Sequence, residues 1–195
     1  MPDYSYDKKY FEILRKRSFL QILIRNILFI PLRPYLKGDV LDLGCGIGEV
    51  AGHVQDKNRY FGIDINIYCV DFLQQKGIRS KIGSAYQIPL DAHSVDVVIM
   101  SHVLEHLDDP ARAMNEISRV LRPYGTLIVI VPMRYGYDTD PSHRVFYDPE
   151  RLRNLAQEYH YEEQSISVFP IPWEFLGNYF YFFEYRSIMR KRINA

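Results

Sequence analysis

Cysteine is scarce in this chain: Cys45 and Cys69 are the only two in 195 residues. Two cysteines make no ladder for a disulfide framework, and no C-x-x-C pair offers a zinc or redox centre. Such usage fits a reducing compartment, and a cytoplasmic protein is expected. Surplus charge is missing too, since 24 Lys and Arg balance 24 Asp and Glu. With no net field to draw a polyanion, nucleic acid is not an expected partner. Long apolar runs are also absent. The longest early stretch, residues 19–32, is broken by Arg25 and Asn26 and is shorter than the roughly 20 residues a membrane span needs. Residues 2–10 mix acids, aromatics and lysines, unlike the basic start and apolar centre of a signal peptide. What the chain does have is aromatic content, 14%, including 16 Tyr, with much of it after Trp173.

Apolar residues in 7–30 recur at helical spacing (Ile13, Leu14, Leu20, Leu23, Ile24, Ile27), and Pro31 and Pro34 end the pattern. Gly38 and Asp39 then turn the chain into Val40-Leu41-Asp42-Leu43, a short apolar run of the kind that forms a buried strand. Further strands are predicted at 59–63, 79–82, 94–100, 126–131 and 165–169. Helices are predicted between them at 47–55, 67–75, 110–121 and 148–159, the last two opened by Asp-Pro pairs. This alternation implies an α/β, Rossmann-like, doubly wound and mostly parallel sheet with helices on both faces. The domain plan is an N-terminal helical segment at 1–36 and a core at 37–169. An aromatic-rich extension at 170–195, whose pattern fits neither period, completes the same domain.

The most informative stretch is Asp42-Leu43-Gly44-Cys45-Gly46-Ile47-Gly48. A strand feeds a glycine turn at the place where open α/β sheets bind ligands. Asp64 follows about twenty residues after Gly44, at the end of the second strand, where a carboxylate can accept ribose hydroxyls. The spacing is G-x-G-x-G rather than the dinucleotide pattern G-x-G-x-x-G, and Glu49 stands in the place of the last glycine. A carboxylate there opposes a pyrophosphate. It suits a ribose-bearing cofactor with no phosphate and a cationic amino and sulfonium end. Asp42 either orients the loop or adds a second acid near that end. Cys45 is a small loop residue beside the cofactor, with no base next to it to make it a nucleophile.

These residues resemble the first motif of class I S-adenosylmethionine-dependent methyltransferases, in particular the "type 11", ubiquinone/menaquinone methyltransferase-like branch. The resemblance extends through Gly62-Ile63-Asp64-Ile65-Asn66, Gly83-Ser84-Ala85 with Ile88-Pro89-Leu90, and residues 101–107 with Asp109-Pro110. It continues through residues 119–127, His143-Arg144-Val145-Phe146-Tyr147 and Glu150-Arg151-Leu152, and covers roughly 36–160. Tyr124 and Val95 depart from it, where many members have Gly and Phe. The resemblance implies S-adenosylmethionine as cofactor, released as S-adenosylhomocysteine. Gly44, Gly46 and Gly48 would lie under the methionyl part, Asp64 on the ribose, Ile65 beside the adenine, Ser84 and Ala85 at its edge, and Ser101 at the methionyl end. In such enzymes an N-terminal segment often closes over the cofactor, so Tyr4, Tyr6, Tyr10 or Arg17 would reach the methionyl carboxylate.

His102, His143 and Tyr135 are the candidates for a general base. His102-Val103-Leu104-Glu105-His106 also spells H-x-x-E-H, a zinc pattern that needs both histidines on one helix. Asp108-Asp109-Pro110 cuts that stretch short, so no metal is expected. The abundant Tyr and Phe favour an aromatic or apolar acceptor, and among the acceptors that the resemblance implies this points to a small-molecule, quinone- or lipid-like one. The aromatic tail over Arg186, Arg190, Lys191 and Arg192 suggests a homodimer contact or a peripheral membrane contact. Two rival readings are a non-catalytic binding module that keeps the fold and a nicotinamide-dependent oxidoreductase.

Overall fold

A computed structural model describes residues 8–180 and 182–193. Tyr4 and Tyr6 lie outside them. Seven strands form one sheet: β1 (Val40–Leu43), β2 (Tyr60–Asp64), β3 (Ser80–Ile82), β4 (Val95–Ser101), β5 (Leu121–Pro132), β6 (Tyr161–Phe169) and β7 (Glu184–Lys191). Their order is β3-β2-β1-β4-β5-β7-β6. β7 runs antiparallel to both neighbours and the other strands share one direction. The chain order reverses at β1 and β4, which opens a crevice at the carboxyl ends of the strands.

The two faces can be read from the period of two along each strand. Leu41, Leu43, Val98, Met100, Leu127, Val129 and Val131 face one cluster, with Met114, Ile117 and Val120 of helix α4 (Pro110–Val120) and Leu152 and Leu155 of α6 (Pro149–Glu158). The alternate residues Val40, Val97, Ile99, Ile128 and Ile130 face the other, with Phe29, Leu32 and Leu36. Asp109 and Asp148 cap α4 and α6 as their Asp-Pro pairs predict, accepting from Arg112 N and Arg151 N. Helix α3 (Ile67–Gln75) packs beside β2 and β3, and α5 (Arg134–Asp138) follows β5.

Several boundaries differ from the sequence reading. The N-terminal helical stretch is two helices, α1 (Lys8–Arg15) and α2 (Phe19–Phe29), split at Ser18. Ser18 and Gln21 form a reciprocal capping box, so a new helix starts there. The helix expected at 47–55 is only a 3-10 turn, Val50–His53, between Gly48 at φ +80° and an extended Val54. β5, expected from 126, begins at Leu121, because Leu121 pairs with Val95 ahead of a register shift, and Pro123-Tyr124-Gly125 lies inside the strand. The unassigned tail contains β7. Among the described residues no helix is long and apolar enough to cross a membrane.

Candidate functional site

The carboxyl edge of the sheet gathers most of the residues singled out by sequence. After β1 the chain turns through Gly44, Gly46 and Gly48 at φ +78°, +50° and +80°. A Cβ on Gly44 would lie 2.3 Å from Val103 Cγ2, and one on Gly48 2.6 Å from Leu73 Cδ2. Glycine is therefore needed at both positions for backbone conformation and for packing. The loop also spends its amides internally. Gly44 and Cys45 N–H donate to Ile63 O at 2.8 and 3.1 Å, Gly46 N–H to Asp64 Oδ2 at 2.7 Å, and Gly48 N–H to Cys45 O at 2.8 Å. A phosphate cradle works by pointing free N–H groups at the anion. These four amides are already taken.

Asp64 ends β2 and accepts from Gly46 N and, through Oδ1, from Asn66 N at 2.8 Å. Its carboxylate is thus turned to the loop backbone, with part of its lone-pair capacity left for a ligand. Burial raises its pKa, and the amides of Asn66, Gly46 and Ile65 oppose the rise. Asp42 is 2% exposed and accepts from the Tyr60 hydroxyl at 2.8 Å, so it lies beneath the loop and is held there by Tyr60. Cys45 is buried, and that burial pushes its thiol far above the ordinary range. Ile65 is half-buried next to Asp64. Ser84 Oγ accepts from Tyr86 N at 3.2 Å, and Ala85 packs into the core. Ser101 closes β4 opposite Ile130.

Glu49 needs a different explanation from the one its position suggested. It is ion-paired with Arg17 and with Arg25, whose Nε lies 2.5 and 2.7 Å from its two oxygens. Two guanidiniums meet its charge, so it anchors the N-terminal helices instead of repelling a phosphate. The discrimination against pyrophosphate rests on the spent amides. Leu14 of α1 reaches the loop, with Cδ1 3.5 Å from where a Gly46 Cβ would stand. Tyr10, on the same helix, has its hydroxyl pKa pushed up to about 12 by burial and by the charges of Asp64 and Asp140, with Arg17 opposing. The Tyr10 hydroxyl therefore lies within electrostatic reach of the β2 end and of the loop after α5.

The base candidates fall in different settings. His102 has φ +56° and sits between two carboxylates, Nδ1 3.3 Å from Glu105 Oε1 and Nε2 3.1 Å from Glu184 Oε2. Burial lowers its pKa, but the two carboxylates outweigh it and hold the pKa at about 9. Tyr135 is 45% exposed on α5. His143 donates Nδ1–H to Tyr137 O at 2.7 Å, leaving Nε2 3.9 Å from Glu105 Oε1. Glu184 of β7 joins this site with no forewarning from the sequence, and Arg186 and Lys191, read there as part of a basic end for a dimer or membrane contact, are buried instead, Arg186 beside Glu184. Arg186 binds Glu184 at 2.5 Å and stacks over Phe169, its guanidinium carbon 3.5 Å from the ring centroid.

Comparison with known proteins adds to this geometry. The family described as "Methyltransferase domain" matches residues 41–129, from β1 into β5. Residues 41–129 are a methyltransferase domain. A probable S-adenosylmethionine-dependent methyltransferase of Mycolicibacterium smegmatis is 36% identical over 141 residues, covering 67% of this chain and 55% of that protein. A ubiquinone/menaquinone biosynthesis C-methyltransferase of Vibrio campbellii is 29% identical over 150 residues, covering 67% and 58%. The chain thus spans little more than half the length of these curated relatives. Among solved structures, an S-adenosylmethionine-dependent methyltransferase from Archaeoglobus fulgidus superposes with a TM-score of 0.76 at 20% identity, covering 95% of this chain and all of that one. A possible histamine N-methyltransferase from Thermotoga maritima gives 0.75 at 21%, covering 94% and 98%. Both share the fold of the methyltransferase domain and of the flanking helices and strands.

Proposed function

We propose that this protein transfers a methyl group from S-adenosylmethionine to a small-molecule, quinone- or lipid-like acceptor, releasing S-adenosylhomocysteine. The observation that carries the reading is the glycine loop, with the amides of Gly44, Cys45, Gly46 and Gly48 spent, closed by Asp64 and underlain by Asp42. This acceptor-rich, amide-poor setting suits hydroxyl, ammonium and sulfonium groups and offers little to a pyrophosphate. It favours this cofactor over a nicotinamide dinucleotide.

When bound, S-adenosylmethionine supplies a methyl already activated on a cationic sulfur. The remaining lone pairs of Asp64 would accept the ribose hydroxyls, with Ile65 and Ser84–Ala85 beside the adenine. Gly44, Cys45, Gly46 and Gly48 would lie under the methionyl part, with Ser101 and Tyr10 at its end. The protein's main task is then alignment, which alone can lower a barrier by roughly 7–11 kcal/mol. His102, held as an imidazolium, has no lone pair to take a proton at neutral pH. It would place a positive charge near a developing acceptor anion. His143 directs Nε2 at Glu105, and Tyr135 stands in solvent, so an external base or the acceptor's own acidity would complete the step.

An apolar acceptor is supported by the tail. Gly177 lies against Met133, which follows β5, and Trp173, Phe175, Phe180 and Phe182 are exposed around it. The relative from Vibrio campbellii is named for quinone C-methylation, and the same aromatics would serve a homodimer or lipid contact.

The test is calorimetric titration with S-adenosylhomocysteine and, in parallel, a nicotinamide dinucleotide. Wild type should bind the first and ignore the second. Asp64→Ala should weaken binding at least tenfold, about 1.4 kcal/mol, with an unchanged circular dichroism spectrum. Unchanged affinity in Asp64→Ala, or preference for the dinucleotide, would overturn the assignment. Tight cofactor binding with no turnover on quinol, phenol and lipid acceptors would leave a binding module.

A further inference from the structure

Glu105 is the most unusual side chain in the protein. It is 0% exposed, and neither carboxylate oxygen has a hydrogen-bond partner. A carboxylate buried this way is costly unless a cation meets it. His102 is one partial answer, at 3.3 Å from Oε1. Two more imidazoles stand near it. One donor atom from each of Glu105, His106 and His143 lies within 4.8 Å of the others.

The proton positions on these two rings follow from their neighbours. Tyr137 O can only accept, so His143 must carry its proton on Nδ1, 2.7 Å away, and Nε2 keeps its lone pair. The Ser142 hydroxyl spends its single proton on Asp140 Oδ1 at 2.6 Å, so towards His106 Nδ1, at 3.1 Å, it accepts. His106 is thereby also protonated on Nδ1 with a free Nε2. The two rings stand 4.6 Å apart between centroids. Imidazoles that ligate metals are normally fixed in this manner, the outward N–H bonded to a carbonyl or to a carboxylate-linked group.

We propose that Glu105, His106 and His143 bind a zinc-class divalent cation. Two imidazole nitrogens and one carboxylate are the ligand types such an ion takes, at about 2.0–2.2 Å, which puts donors roughly 3.4 Å apart in a tetrahedron. A contraction of at most about 1.4 Å from the present spacing closes the set. Three protein ligands leave one position open, the pattern of a catalytic zinc. The zinc pattern read in the sequence fails in its helical form, because Leu104–His106 is a 3-10 turn and His102 is held by Glu184. The structure replaces its first histidine with His143, brought in from the loop after α5. The inference stands whether or not the methyl-transfer reading does.

The experiment titrates the chelator-stripped full chain with Zn²⁺ by calorimetry and with Co²⁺ by visible absorbance, and follows the histidine ¹⁵N resonances as Zn²⁺ is added. One equivalent should bind at micromolar Kd or tighter, with the signals of His106 and His143 moving and that of His93 unmoved. His143→Gln should weaken binding at least tenfold. Ser142→Ala, which removes the orienting hydrogen bond to His106 together with the hydroxyl's own bond to Asp140 on a half-buried loop, should weaken it roughly tenfold. No binding by wild type at micromolar metal, or binding that leaves the His106 and His143 resonances in place, would overturn the proposal without recourse to any variant.

Discussion

Asp42 is the residue whose ionisation folding changes most legibly. Burial pushes its carboxyl up to about 7, the Tyr60 hydroxyl draws it back, and the charges of Asp64 and Glu49 add to the rise. In the unfolded chain an aspartate releases its proton near 4. Between about pH 4 and 7 the folded protein therefore holds a proton that the unfolded chain has lost, and stability falls as pH rises through that window. Asp42→Asn removes the titration. Urea unfolding at pH 5 and pH 8 should show wild type losing on the order of 3 kcal/mol more than the variant between the two values. Parallel losses in both proteins would show that Asp42 stays ionised in the fold. His102 is the opposite case, a base held charged by Glu105 and Glu184 in a left-handed backbone conformation unusual for histidine.

Among the elements, α1 and α2 are held by apolar packing of Phe11, Leu14 and Phe29, and by polar links of Glu49 with Arg17 and Arg25 and of Arg186 Nη1–H donating to Leu28 O at 2.7 Å. The Glu49 pairs are about a fifth to a third exposed, so solvent screens them and their worth is modest. Glu49→Gln should lower the local stability of the 15–18 junction by about 1 kcal/mol, which is roughly a fivefold rise in trypsin cleavage after Arg15, Lys16 or Arg17. Unchanged cleavage would place the anchor elsewhere. Elements bounded by local signals were legible in the sequence: β1 before its glycines, β2 before Asp64, and α4 and α6 behind their Asp-Pro caps. β7 was not. It is an inner strand buried on both faces, yet it carries Glu184, Arg186, Ser187 and Lys191 inward, so no alternation of apolar and polar residues marks it. The glycine loop and Asp64 were readable because they act across a short stretch. Glu105 with His143, and His102 with Glu184, meet only through tertiary contact, 38 and 82 residues apart.

At the level of the whole molecule, the tail completes the sheet. β7 pairs with β5 from Thr126↔Arg190 to Pro132↔Glu184, and with β6 along its other edge. It also buries Met189 and Ile188 in the two opposite core clusters, and Lys191 Nζ donates to Ser118 O and Leu121 O at 2.6 and 3.1 Å. Without it β5 presents an unpaired apolar edge and β6 has no neighbour, a geometry that invites aggregation. A chain ended after Phe183 retains the whole matched methyltransferase domain, the glycine loop and Asp64. It should nevertheless lose its cooperative thermal transition and precipitate, because the strand removed is internal to the sheet. Calorimetry and near-ultraviolet circular dichroism of the truncated chain test this. A sharp transition with native aromatic signals would mean that β1–β5 with their helices close without β7.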